Sequence, residues 1–495
     1  MHRLTPMIVA GILLGSAMSG DSPAEEGPYL GYARECADIL IESGTDRYGD
    51  RHTPMLVSIL DVDSRDCPQN PEALDEKYRV ARRDRRSTAG SNLLTDQPLI
   101  RTLYRLSEST SDAKYAEAAN AYIETVLDHL VDKKGLLWWG WHRHYDVFTD
   151  SFEGHAGNHH EIHAIQMIDW DKLWAIDLEA TQREIEAIWK WHVCDKDTGE
   201  INRHDDGKRG CDFAMSGGSH LRAFAFLYCK TKQTLWLERA RLLADYYWVR
   251  RNPKTDLFPE RPNAGTDRFD GSAFVTAITG CHCRALLDAY RLTQDEAFKG
   301  YAVAYLKAYA HYGYDTATGK YWGALKLDGT PIPGPREPAG YAMYEPRGHL
   351  DLWEPYAAGY QFPIYTADAY LRAYELTEGP EFLITARRFA DWIAEVPPGT
   401  IENKDTWYSA YTQGSGKQGT YAGKYGRAVS FLLNLHRATG EDRYLKQGQS
   451  LADEAVAKLR HKGLFRGHPA KPYYEAVDGV GYLLAAMLDL DEALK

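Results

Sequence analysis

The chain has 495 residues, 44% hydrophobic, 26% charged and 12% aromatic, with 58 basic against 70 acidic side chains and a formal charge of −12. That apolar fraction excludes wholesale disorder, and the acidic balance excludes a general nucleic-acid binder, which needs a dominant basic face. The 33 Tyr and 13 Trp together far outnumber the 14 Phe; rings with a polar tip suit walls that stay partly wet, as in a sugar cleft, and equally the rim of a large helical core.

At the N-terminus, His2 and Arg3 precede an apolar stretch from Pro6 to Leu14 and then small residues through Gly20. This pattern predicts a secretory signal peptide over residues 1–19, cleaved after Ser19 and too short to span a bilayer. The mature chain, residues 20–495, is therefore expected to be secreted or periplasmic, without membrane insertion. Seven cysteines (Cys36, Cys67, Cys194, Cys211, Cys229, Cys281 and Cys283) are too sparse to act as a disulfide framework. Cys281-His282-Cys283 lacks a zinc-finger spacing.

One pattern recurs along the chain: an apolar helical stretch, a Thr, then an aromatic five residues later that opens another helix. The copies are Thr110/Tyr115, Thr231/Trp236, Thr293/Phe298, Thr377/Phe382 and Thr439/Tyr444. Repeated helical hairpins bury their apolar faces only by stacking on neighbours, in an open superhelix or a closed toroid. Irregular spacing, with Trp-, Gly-, Tyr- and Pro-rich segments between copies, favours closure. The predicted fold is all-α, a single (α/α)n toroid with small β excursions in its loops, and segments such as Trp138–Trp141 and Gly319–Leu327 read as short strands or extended loops.

Six of the 18 histidines fall between residues 142 and 163: His142, His144, His155, His159, His160 and His163. Glu153 and Glu161 are interleaved with them, and Arg203-His204 follows. Imidazole plus carboxylate without thiolate suits Mn, Fe, Co, Ni or Zn rather than an all-oxygen Ca site. Clustering alone does not say which histidines are ligands. His160-Glu161-Ile162-His163 has the i, i+3 spacing of one helix face but lacks the second His of a zinc-protease helix.

The order of several segments resembles family-2 polysaccharide lyases, the pectate lyases of periplasmic or intracellular type. These segments are Asp46–Gly49 with Thr53-Pro54, Ser91-Asn92 through Leu103, Trp139-Gly140-Trp141-His142-Arg143, His160-Glu161 and Arg203-His204. Trp141 departs from the family's usual Gly. The resemblance implies an (α/α)7 barrel, a divalent transition metal (Mn, Ni, Co or Zn) held by His142, Glu161 and His204, and Arg203 as Brønsted base. It also implies an acidic polysaccharide or oligosaccharide as substrate, pectate or oligogalacturonate first. A uronate lyase removes the proton on C5 beside a carboxylate, and a bound cation neutralises that carboxylate. Arg is an awkward base because a free guanidinium holds its proton to very high pH; Tyr145 or His155 are alternatives.

Substrate contacts are expected from Asn92, Tyr145, Arg347, His349, Lys424 and Arg427, the last four read as loop-borne cations. The run Lys77, Arg79, Arg82, Arg83, Arg85 and Arg86 is either a solvated face or a patch for an acidic glycan. Three other readings remain at this point. One is a lyase on a glucuronate glycan, and another is a glycoside hydrolase with a carboxylate pair among Asp205, Asp206, Asp351 and Glu354. The third is a helical-repeat glycan binder without chemistry.

Overall fold

Each repeated Thr ends a helix. In the computed structural model these are Thr110 of α2 (Leu93–Thr110), Thr231 of α6 (Ala214–Thr231), Thr293 of α8 (Cys283–Thr293), Thr377 of α10 (Pro363–Thr377) and Thr439 of α12 (Ala422–Thr439). Every one of these hydroxyls donates to the carbonyl four residues back at 2.6–2.7 Å. Each also accepts from the amide two residues on at 3.2–3.3 Å. The residue between is left-handed (Ser111, Lys232, Gln294, Glu378 and Gly440), which reverses the chain at once. The aromatic of each copy then packs, at most 3% exposed, in the first turns of α3 (Lys114–His129), α7 (Thr234–Trp248), α9 (Glu296–Tyr312), α11 (Pro380–Glu395) and α13 (Asp442–Leu459).

The structure describes residues 27–69, 90–154, 157–263, 271–335, 345–353, 361–401 and 419–495. The expected signal peptide, the Lys77–Arg86 run, His155 and Glu354 lie outside them. Two hairpins carry no Thr signature. In one, α4 (Trp170–Ile176) meets α5 (Leu178–His192) at Asp177, whose amide closes α4 on the Leu173 carbonyl and whose carboxylate caps α5 through the Ala180 amide. In the other, α14 (Val480–Ala493) pairs with α1 (Pro28–Gly44), the Leu30 amide donating to Asp491.

Fourteen described helices thus form two alternating rings of seven. Even-numbered helices are inside: α6, α12 and α14 are buried nearly all round, whereas outer helices such as α3 bury one stripe. Short α4 is held in the inner ring between α2 and α6, by Gln97 accepting from the Asp169 amide and Arg222 donating to the Ile168 carbonyl. Glycines permit the closest approaches: a Cβ on Gly481 would stand 2.4 Å from the Leu99 amide of α2, and one on Gly426 would stand 2.5 Å from the Leu483 amide of α14. Inner-to-outer turns are one to three residues long, so all the long connections collect at the end where inner helices begin. Among the described residues, small two- and three-stranded sheets stiffen these connections. No described helix is long and apolar enough to cross a membrane.

Cys281-His282-Cys283 lies at the buried entry to α8. His282 Nδ1 is 2.9 Å from the Ala214 carbonyl, and burial pushes both thiols up.

Left-handed backbone strains an L-residue by about 1 kcal/mol or more, a strain glycine avoids. Lys232→Gly is therefore expected to stabilise the fold by about 0.5–1 kcal/mol, read as a higher urea midpoint at unchanged m-value. A second expectation concerns Asp96 of α2, which is fully buried and accepts from Tyr122 (2.6 Å) and Ser58 (3.0 Å). Burial pushes its carboxyl up to about 7 despite those donors. The folded state then holds a proton that the unfolded chain releases near pH 4, so this stabilisation declines as pH rises from about 4 to 7. Asp96→Asn does not titrate, and its stability relative to wild type should climb by up to about 1.4 kcal/mol per pH unit across that window, measured by urea unfolding.

Candidate active site

Two long connections build the site. Residues 130–169 join α3 to α4, and residues 193–213 join α5 to α6. On the first, the Leu137 amide (2.7 Å) and the Trp139 indole (3.0 Å) donate to Glu184 of α5. Gly140 follows at φ +125°, where a Cβ would stand 2.9 Å from the Glu161 carbonyl. Asn92 clasps Gly140 with both ends of its amide (Nδ2 to O 2.8 Å, Oδ1 from N 3.3 Å) and also caps α2 through the Leu94 amide. The Trp141 amide then donates to the Glu161 carbonyl at 3.0 Å. These bonds lay the Trp-Gly-Trp-His segment flat against His160-Glu161.

The chain next forms the antiparallel strands Arg143–Asp146 and Ser151–Gly154, the first of which also pairs with Gly90–Ser91. The second connection is anchored by the Arg203 amide on the Cys211 carbonyl and the His204 amide on Asn202 Oδ1 (2.8 Å).

Glu161 is the meeting point. His142 Nε2 stands 2.7 Å and His204 Nε2 2.8 Å from its Oε2, while His163 Nε2 is 2.6 Å from Oε1. His142 and Glu161 are 1–2% exposed, and one donor atom from each of His142, Glu161 and His204 lies within 4.8 Å of the others. Arg203 Nε is 4.0 Å from Oε2, with its guanidinium 4.4 Å from the Phe213 ring centroid. Arg261, itself buried, lies 5.6 Å from the same ring. Burial alone would raise the Glu161 carboxyl, but His142, Arg203 and His163 hold it well below the usual carboxylate range.

A second group, His159, His204 and Asp206, also lies within that reach. His159 stacks on His204 at 4.5 Å, but Asp206 is already engaged by Asn202 and Lys208 (3.2 Å), and His204 turns Nε2 to Glu161. The His142–Glu161–His204 set is the better-formed cation site. Its two imidazoles and one carboxylate match a transition metal and leave positions for other oxygens.

Asp205 is an anchor. Burial would raise its carboxyl, but His159, Lys134 (2.7 Å) and Arg143 (3.1 Å) hold it far below the usual range. His160-Glu161-Ile162-His163 is not helical. The Trp141 amide and Asp205 take backbone groups that a helix would use, and His160 and His163 point to different partners.

Lys424 and Arg427 are not loop-borne but stand in the first turns of α12. The glycines that suggested a loop there instead let α12 close on α14. Both cations line one cavity with Thr95, Gln166, Tyr421 and Tyr482, and Gln166 lies three residues beyond His163 on the same connection. Arg347 stands 3.9 Å from Glu345, and His349 stacks on Trp322 at 3.9 Å with Nε2 2.9 Å from Asp315. Buried Tyr145 donates to Asp150 at 3.2 Å, and burial pushes its hydroxyl up to about 12. Sequence reasoning missed the roles of His163, Gln166, Glu184 and Arg261; only His163, inside the histidine cluster, carried a signal.

A family model described as periplasmic pectate lyase matches residues 74–215 and 271–493. A pectate disaccharide-lyase of Dickeya dadantii (strain 3937) is 31% identical over 130 residues, 25% of this chain and 23% of that protein, so the alignment spans less than a quarter of the relative. Similar solved structures include a sugar epimerase from a ruminal bacterium, with TM-score 0.49 and 10% identity over 94% of this chain and 98% of that one. A D-mannose isomerase has TM-score 0.48 and 11% identity over 96% and 100% of the two chains. With the family match extending over most of its length, the chain belongs to the periplasmic pectate lyases.

Proposed function

We propose that the protein is an exported, metal-dependent lyase that cleaves an acidic uronate glycan, pectate or oligogalacturonate first, by β-elimination. The observation that carries this reading is the convergence of His142 Nε2 and His204 Nε2 on one oxygen of buried Glu161. These three residues would hold the metal, and His163 keeps the carboxylate turned toward it through its other oxygen. When bound, a divalent transition metal neutralises the sugar carboxylate beside C5, worth several kcal/mol of barrier.

Arg203 is the proposed base. It accepts the C5 proton while the C–H electron pair forms the C4=C5 alkene and the C4–O bond breaks, its electrons leaving with the departing oxygen, which takes a proton from water. A guanidine takes this role only in neutral form; burial, Arg261 on the same ring and a bound cation would favour that form, against the pull of the Glu161 carboxylate 4.0 Å away. Asn92 holds Gly140 through one N–H and its amide oxygen, and its second N–H is the proposed contact to substrate. Lys424 and Arg427, with Gln166 beside them, are the proposed seat for a neighbouring uronate carboxylate.

The test is a screen of polygalacturonate, oligogalacturonates and glucuronate glycans, read by the ultraviolet absorbance of the conjugated alkene. Signal should vanish with chelator and return with metal. Reducing ends without that absorbance would mark a hydrolase, and no product at all a binder. His204→Ala is expected to lose both metal and activity. Arg203→Lys should keep metal, measured by elemental analysis, while turnover falls by roughly 10²-fold or more. Full turnover in either variant removes that residue from its role.

A further inference from the structure

The two connections that carry the site are joined beneath it by a buried chain of side chains that the proposed chemistry does not use. Glu184 of α5 accepts from the Leu137 amide and the Trp139 indole, and its Oε1 stands 3.1 Å from His160 Nε2. His160 Nδ1 is 2.8 Å from His192 Nε2. His192, the last residue of α5, has Nδ1 2.9 Å from the Asn202 carbonyl; a carbonyl only accepts, so Nδ1 carries the hydrogen. Glu184, His160 and His192 are 0% exposed and Asn202 is 1% exposed, so no solvent can replace a lost partner.

The ends of this chain abut the proposed ligands. His160 immediately precedes Glu161. Asn202 immediately precedes Arg203-His204, and its side chain receives the His204 amide. On its far side His192 packs against the ring of His220 at 4.8 Å. His220 is fully buried and neither of its ring nitrogens has a hydrogen-bond partner among the described residues, so its contact with His192 is one of packing.

We propose that His192 is a positioning residue of the metal centre, fixing the distance between the Glu161-bearing and His204-bearing connections through His160 and the Asn202 carbonyl. This rests on the metal reading above. Groups that orient metal ligands from behind typically change affinity 10–100-fold when removed.

His192→Phe keeps a ring and removes both bonds; His192→Asn keeps a donor near the Asn202 carbonyl and loses the reach to His160. The full-length chain is stripped of metal and titrated with Co(II) against a competing chelator. Cobalt visible absorption is recorded alongside, with circular dichroism to check folding. A folded His192→Phe protein should bind Co(II) 10–100-fold more weakly with an altered visible spectrum, and His192→Asn should fall between it and wild type. Wild-type affinity and spectrum in folded His192→Phe overturn the proposal; if that variant does not fold, unchanged Co(II) affinity in His192→Asn does so. Failure of the wild-type chain to bind Co(II) at all sinks the metal reading and this inference together. Co(II) binding without alkene product defeats only the lyase reading.

Discussion

A carboxylate at 2% exposure with three imidazoles and a guanidinium around it is the constraint on which the rest of this structure depends. Taking Glu161 out of water costs several kcal/mol unless the charge is matched, and removing one partner from such a cluster typically costs 3–5 kcal/mol because it leaves charge uncompensated. The groups around Glu161 are mostly imidazoles, which can be neutral, so a bound dication would complete the charge balance. A donor set of this kind asks for accurate placement of backbone that belongs to no helix.

That accuracy comes from the way the ring is closed. Six of the seven inner helices return through a one- to three-residue turn, so the long connections lie at the other end. The irregular chain is then fastened to regular elements: Asn92 at the start of α2, Glu184 in the middle and His192 at the end of α5, and the Cys211 carbonyl just ahead of α6. Gly140 is the narrowest point, since any side chain there meets the backbone of Glu161. Local rigidity is borrowed from the scaffold, and the connections carry the chemistry.

What was legible in the sequence follows from this division. The Thr repeat was readable because its chemistry is local: a hydroxyl bonding four residues back and two forward leaves the same signature in five places. The Asp177 turn does the same job with a different residue, and α1 with α14 joins the chain's two ends, so neither leaves a repeat to read. Six clustered histidines marked the region of the site, and the family resemblance picked out His142, Glu161 and His204, whose donor atoms lie within 4.8 Å of one another. Clustering could not assign His160 to Glu184 or His163 to the second oxygen of Glu161, because those partners are fixed by long-range backbone bonds. Lys424 and Arg427 looked loop-borne because Gly423 and Gly426 flank them, yet those glycines serve contact between helices, which a single sequence does not distinguish from a turn.

The net charge of −12 is unfavourable for the proposed acidic glycan, so attraction would have to be local. The ring supplies it by orientation. Inner helices all begin at the end that holds the long connections, and each helix N-terminus carries about half a positive charge. Lys424 and Arg427 in the first turns of α12, with Arg261 beside Phe213, add full charges at the same end. Acidic residues inside this region are neutralised by contact, Asp205 by Lys134 and Arg143, and Asp478 by Lys471 at 3.0 Å. At about 8–10 Å of screening length in physiological salt, an approaching polyanion responds to this end of the ring rather than to the overall charge. A chain of net negative charge can in this way present a locally positive end to an acidic polymer, the substrate class proposed for it.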